Sequence, residues 1–150
     1  MAEAKLIGSN LKLAAINLLA VKKIGLSDRI APTFMVYAVE NLLMTIFTSE
    51  NCDYGRARRK CGSHQLDCLI DELPDECGIK SSFKNVVALV AYATTYRYPT
   101  ASGNLPRPPA ENEANDYYEA FIEILNVCTT HFEVDVRLDE PQAGSTSAIR

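Results

Sequence analysis

The sequence has no uninterrupted apolar run close to the roughly 20 residues that a membrane-spanning helix requires. The longest apolar stretch, residues 30–47, is interrupted by Pro32, Glu40 and Asn41. Residues 1–5 carry no basic segment leading into an apolar core, so we expect no secretory signal. These absences predict a cytoplasmic protein that does not bind membranes.

A surplus of positive charge is also missing, because 19 acidic residues outnumber 15 Lys and Arg residues and the net charge is −4. Any contact with nucleic acid therefore has to come from a local basic patch. The sequence contains no Walker loop, no Gly-x-Gly-x-x-Gly and no His-Glu-x-x-His motif. These absences give no reason to expect a nucleotide cofactor or a metalloprotease site, and we expect no cofactor.

The cysteines show no recognisable metal-binding spacing. Cys52, Cys61, Cys68 and Cys77 are separated by eight, six and eight residues, without the short Cys-x2–4-Cys spacing of zinc knuckles. Cys128 falls on an apolar helical stripe, where cysteine behaves as a small hydrophobic residue. Because a reducing cytosol is expected, we predict five free thiols and no metal site.

What the chain does contain is helical periodicity over a length that suits one domain. Apolar residues recur at helical spacing in five segments: 5–23, from Ser27 or Asp28 to 47, 64–73, from Ser81 or Ser82 to 93, and 110–136. Residues 48–62 and 96–109 are polar or rich in proline and are predicted as loops. The pattern predicts an all-α up-and-down bundle of four main helices and one short helix over residues 1–138, with a flexible tail over 139–150.

The second segment is apolar on almost all sides, so we expect it to be the most buried helix or to lie in an interface. The short helix has an apolar stripe of Leu66, Leu69, Ile70 and Leu73, and Pro74 ends it.

Four basic residues lie just before that short helix, whose N-cap we assign to Ser63: Arg56, Arg58, Arg59 and Lys60. Arginines beside the backbone amides of a helix start form a phosphate site. His64 follows, and an imidazole can transfer protons near neutral pH. A solvated basic loop and a locally bonded histidine explain the same residues, and the sequence leaves both interpretations open.

A second candidate region is Tyr96, Arg97 and Tyr98, followed by Pro99. An arginine between tyrosines can stack on a base and hold a phosphate. The alternative is structural, with the tyrosines closing one end of the bundle and Pro99 forcing the chain out of the helix. We favour that role for Tyr98 and Pro99 and keep Tyr96 and Arg97 as candidate RNA contacts.

Three stretches in this order resemble HEPN domains (higher eukaryote and prokaryote nucleotide-binding). They are "FMVYAVENLLMTIF", "GSHQLDCLIDELPDE" and "YATTYRYPTA", and the resemblance extends over about residues 11–132. It implies a bundle of four to five helices that usually dimerises. Many family members are metal-independent ribonucleases with an arginine followed four to six residues later by a histidine, a spacing that Arg59 and His64 match.

Other HEPN proteins are inactive and bind nucleotides or RNA, or act as partners of minimal nucleotidyltransferases. In the ribonucleases Asn, Asp or His usually follows the arginine, whereas Lys60 follows Arg59 here. The resemblance therefore implies an RNA- or nucleotide-binding homodimer of toxin–antitoxin or defence type, joined through its second and last helices. Its activity would be metal-independent cleavage, and its partner an antitoxin; the alternative is a non-enzymatic subunit of a nucleotidyltransferase.

Overall fold

The computed structural model describes residues 2–62 and 65–134. Ser63, His64 and the predicted tail at 139–150 lie outside the described residues. The described residues form an all-α protein without a strand. Its helices are α1 (Ala2–Ile24), α2 (Ala31–Ser49), α3 (Tyr54–Cys61), α4 (Leu66–Asp71), a 3-10 helix (Lys80–Val86), α5 (Leu89–Arg97) and α6 (Glu111–His131).

The first two helices form the most extensive packing in the molecule. Gly25 ends α1 with a positive φ of 95°, and its amide donates to the Val21 carbonyl, an ending that glycine favours. The carboxylate of Asp28 accepts from the Ile30 amide at 2.9 Å, just before α2 begins. Pro32 lies in the first turn of α2, where its missing amide hydrogen costs nothing.

The core lies around α2, as its apolar circumference predicts. Eleven of the 19 residues of α2 are buried, and the helix contacts α1, α3, α5 and α6. The predicted apolar stripe of the short helix is also confirmed, since all four of its members are buried. α2 is therefore the central element on which the surface helices are positioned.

The predicted loop over residues 48–62 is wrong in its second half, because α3 forms there. The Asp53 carboxylate caps this helix by accepting from the Arg56 amide at 3.0 Å, and Gly62 ends it with a φ of 83°. Only Ala57 of α3 is buried. One buried residue gives no apolar periodicity, so the sequence pattern does not reveal this helix.

Other predicted boundaries differ as well. α2 begins at Ala31 after an N-cap at Ile30 without a side-chain bond, so neither Ser27 nor Asp28 caps it. The single helix predicted to run to residue 93 is a 3-10 helix followed by α5, although Phe83, Val86 and Leu89 are buried as expected. The last helix ends at His131, with Glu133 at a φ of 54°, rather than near residue 136.

One helix, over Glu3–Ile24, is long and apolar enough to cross a membrane by length and composition. The core helix of a soluble protein meets the same criteria, and α1 packs along α2. This property therefore carries no conclusion about where the protein resides.

Candidate functional site

The basic residues predicted to bind phosphate lie on one short helix that is anchored to the core. Ala57 faces the core, and α3 contacts both α2 and α4. The side chains on either side of this anchor are exposed: Arg56, Arg58, Arg59 and Lys60. Burying the one small apolar residue thus directs the four cationic residues of α3 toward solvent, where an anionic ligand can reach them.

Tyr54 fixes the start of α3 against the core. Its ring meets that of Phe47 edge to face, with centroids 5.3 Å apart. Burial raises the pKa of Tyr54 to about 12; the Glu40 carboxylate adds to the shift and Arg58 opposes it. The phenol is therefore neutral at physiological pH and acts as an anchor.

The charges of α3 are only partly compensated by other side chains. Lys60 forms an ion pair with the Glu72 carboxylate beside α4. Within the described part of the chain, Arg56 and Arg59 take part in no salt bridge. Arg58, Arg59 and Lys60 occupy the last turn of α3, where cations interact favourably with the helix dipole.

The predicted phosphate site at a helix start needs correction. α4 begins at Leu66, and its N-cap Gln65 makes no side-chain cap, whereas the arginines lie on α3 toward its carboxyl end. That end of a helix presents carbonyl oxygens, which repel a phosphate. The backbone of α3 therefore contributes nothing to phosphate binding at that end, and its guanidinium and ammonium groups would have to hold the phosphate.

The Arg59 side chain extends back along its own helix toward Gly55. A Cβ at Gly55 would lie 3.5 Å from Nη1 of Arg59 and 3.3 Å from the Asp53 carboxylate. Ser63 and His64 lie outside the described residues, so the Arg59–His64 pair stays a prediction.

In the second candidate region, Tyr96 packs against other aromatic rings and Arg97 is exposed. Tyr96 packs edge to face on Tyr92 at 5.1 Å, and Tyr92 stacks on Tyr117 of α6 at 4.6 Å. Burial raises the pKa of Tyr92 and of Tyr117. Tyr96 thus belongs to an aromatic cluster of the core edge, while Arg97 is exposed at the end of α5.

The structural role predicted for Tyr98 is wrong, since this side chain is 58% exposed. The packed tyrosines are instead Tyr92 and Tyr96, one helical turn apart. Tyr98 follows Arg97 directly, so the pair offers an exposed ring and a cation to a base and its phosphate. Nothing in the sequence distinguishes which of the neighbouring tyrosines is buried.

The prediction of five free thiols is also wrong. A disulfide joins Cys61 of α3 to Cys68 of α4, with Cα atoms 5.6 Å apart. Cys52, Cys77 and Cys128 are free, and burial, followed by the nearby Cys77, raises the pKa of Cys128 to about 12. The spacing concealed the disulfide because its geometry depends on how α3 and α4 pack against each other.

A groove with a volume of about 1090 Å³ runs along α6. Its lining includes four carboxylate residues: Glu113, Asp116, Glu119 and Glu123. Ala120, Ile122 and Val127 supply apolar surface between and beside them. The groove is therefore acidic as well as apolar, which makes it unsuitable for RNA and suitable for a basic protein surface.

Comparisons of the chain with protein-family models, with curated proteins and with solved structures give no match.

Proposed function

We propose that this protein is an RNA-binding, HEPN-like protein whose RNA contact surface is the exposed side of α3. The observation that carries this proposal is the set of exposed cations on a helix anchored by Asp53, Tyr54 and Ala57. In a chain with a net charge of −4, such a local cluster gives RNA a site of attraction.

We further propose that the bound RNA is cleaved without a metal ion. His64 would take the proton of a ribose 2′-hydroxyl, whose oxygen attacks the adjacent phosphorus and displaces the 5′ oxygen of the next nucleotide. Arg59 would stabilise the negative charge that develops on the phosphorus oxygens. A second copy of the chain would supply the imidazolium that protonates the leaving oxygen.

The arrangement proposed for the helices is an up-and-down bundle. α1 and α2 pack along each other and are joined only by residues 25–30. Short connections favour antiparallel neighbours in helical bundles.

The proposed homodimer uses α6, as the sequence suggested, but pairs its groove with α1 of the second copy. Lys5, Lys12 and Lys23 are exposed along α1 at spacings that share one side, and Leu6 and Leu13 are exposed beside them. These basic and apolar rows complement the acidic and apolar rows of the α6 groove. α2 contributes less, because most of its apolar surface is already buried.

The test of cleavage is incubation of the purified protein with labelled RNA in excess EDTA. Wild-type protein should cut the RNA, and His64→Ala and Arg59→Ala should each lower the rate at least about 100-fold. Arg107→Ala, which removes an exposed arginine outside α3, should cut at the wild-type rate. Intact RNA that binds α3 would support a non-catalytic binding protein and reject the ribonuclease.

A further inference from the structure

The disulfide between Cys61 and Cys68 lies close to the carboxylate of Glu72. Cys61 ends α3, Cys68 lies within α4, and Glu72 follows α4 directly. One donor atom from each of the three side chains lies within 4.8 Å of the other two, and all three residues are half-buried. Cys68 and Glu72 are four residues apart, which places them on the same side of a helix.

We propose that Cys61, Cys68 and Glu72 bind a zinc ion when the disulfide is reduced. Thiolates favour zinc over magnesium or calcium, and a carboxylate oxygen completes a set of three protein ligands. Tetrahedral zinc with Zn–S bonds of about 2.3 Å holds two sulfurs about 3.8 Å apart. The backbone already brings the two Cα atoms to 5.6 Å, so a small separation of the sulfurs creates the site.

The disulfide and the metal exclude each other, because both use the same two sulfur atoms. A dithiol reductant breaks the S–S bond by supplying two electrons and two protons and is itself oxidised to a disulfide. Zinc then displaces one proton from each protein thiol as it binds. The site is therefore open to metal only under reducing conditions.

In the absence of metal, Lys60 pairs with the Glu72 carboxylate, and it would therefore compete with a metal ion for this ligand. The Lys60 side chain is 65% exposed, so it can turn into solvent when the metal binds. Removing this charge with Lys60→Met should raise the affinity for metal, since one competing interaction is removed. RNA binding has no part in this effect.

Cobalt is a suitable probe, because Co²⁺ occupies zinc sites and absorbs visible light. The full-length protein is reduced with a dithiol, freed of reductant without oxygen and titrated with Co²⁺. We expect one Co²⁺ per chain, with thiolate-to-cobalt charge-transfer absorption that Zn²⁺ abolishes. The oxidised protein should give no such absorption.

Matched variants locate the ligands. Cys61→Ser and Cys68→Ser should each remove the charge-transfer absorption, and Glu72→Gln should weaken Co²⁺ binding at least about tenfold. Cys52→Ser, which removes a half-buried free thiol, should leave the titration unchanged. Circular dichroism confirms that each variant is helical.

The proposal is overturned if the reduced wild-type protein gives no charge-transfer absorption, or if Cys52→Ser removes it while Cys61→Ser does not. The titration contains no RNA, so its failure leaves the proposed ribonuclease untouched.

Discussion

Among single residues, Tyr54 has the most direct effect on how α3 is held. Its folded-state pKa of about 12 exceeds the ordinary value of 10.0, because burial disfavours the phenolate. The folded chain therefore holds this proton to a higher pH than the unfolded chain does. The resulting stability is fully present below pH 10.0 and is lost as the pH rises through about 12.

Tyr54→Phe should make the alkaline loss of stability less steep, because it keeps the ring and removes the ionising hydroxyl. The measurement is the free energy of unfolding in urea at a series of pH values on both sides of the ordinary tyrosine pKa. Tyr98→Phe is the matched control, since this tyrosine is exposed and lies outside α3. Equal pH profiles for the two variants would contradict the assignment.

At the scale of the helix, α3 depends on its cap as well as on its apolar contacts. Asp53→Ala removes the acceptor for the Arg56 amide and should cost about 1 kcal/mol of helix stability. Amide hydrogen exchange of residues 54–61 should become faster, and RNA affinity should fall in parallel because the arginines are less ordered. Asp53→Asn keeps an acceptor oxygen and should stay close to wild type.

Unchanged exchange in Asp53→Ala, measured beside the Asp53→Asn control, would show that packing of Ala57 and Tyr54 alone maintains α3.

The helices that bury a whole stripe were predictable from the sequence, and those that bury little were not. Leu66, Leu69 and Ile70 identified α4 because their spacing repeats on one side. α3 buries only Ala57, and the break between the 3-10 helix and α5 contains neither glycine nor proline. Such features depend on tertiary packing, to which a pattern of apolar residues is insensitive.

The candidate site, too, was predictable only where its residues are close together in the sequence. The clustered cations of α3 were visible as a run in the sequence, because residues close in sequence share a surface. The partners Cys61 and Cys68, the exposure of Tyr98 and the groove on α6 depend on how separate segments meet. Asp53, three residues before Arg56, and Gly62 after the last basic residue were local signals for α3 that helical spacing did not use.

For the whole molecule, the proposed dimer predicts that charge reversals on α6 and on α1 each weaken self-association and compensate each other when the two variants are mixed. Glu119→Lys with Glu123→Lys, or Lys12→Glu with Lys23→Glu, should each weaken self-association at least about tenfold through like-charge contacts. A 1:1 mixture of the two double variants should restore dimers, because each reversed surface then meets its complement. Sedimentation of each sample measures this result.

The dimer proposal would be contradicted by a wild-type chain that stays monomeric at high concentration, or by a mixture that sediments like its components.

The central claim, that α3 is the RNA contact surface, is tested most directly by RNA affinity as a function of salt concentration. Replacing Arg56 and Arg59 with alanine should lower the affinity and reduce the slope of log K against log [salt] by about 0.7 for each phosphate that is no longer neutralised. The control variant replaces Lys84 and Arg107, two exposed cations outside α3, and has the same net charge. We expect a reduced slope for the α3 variant alone; equal slopes for both variants would show that α3 is not the RNA contact surface.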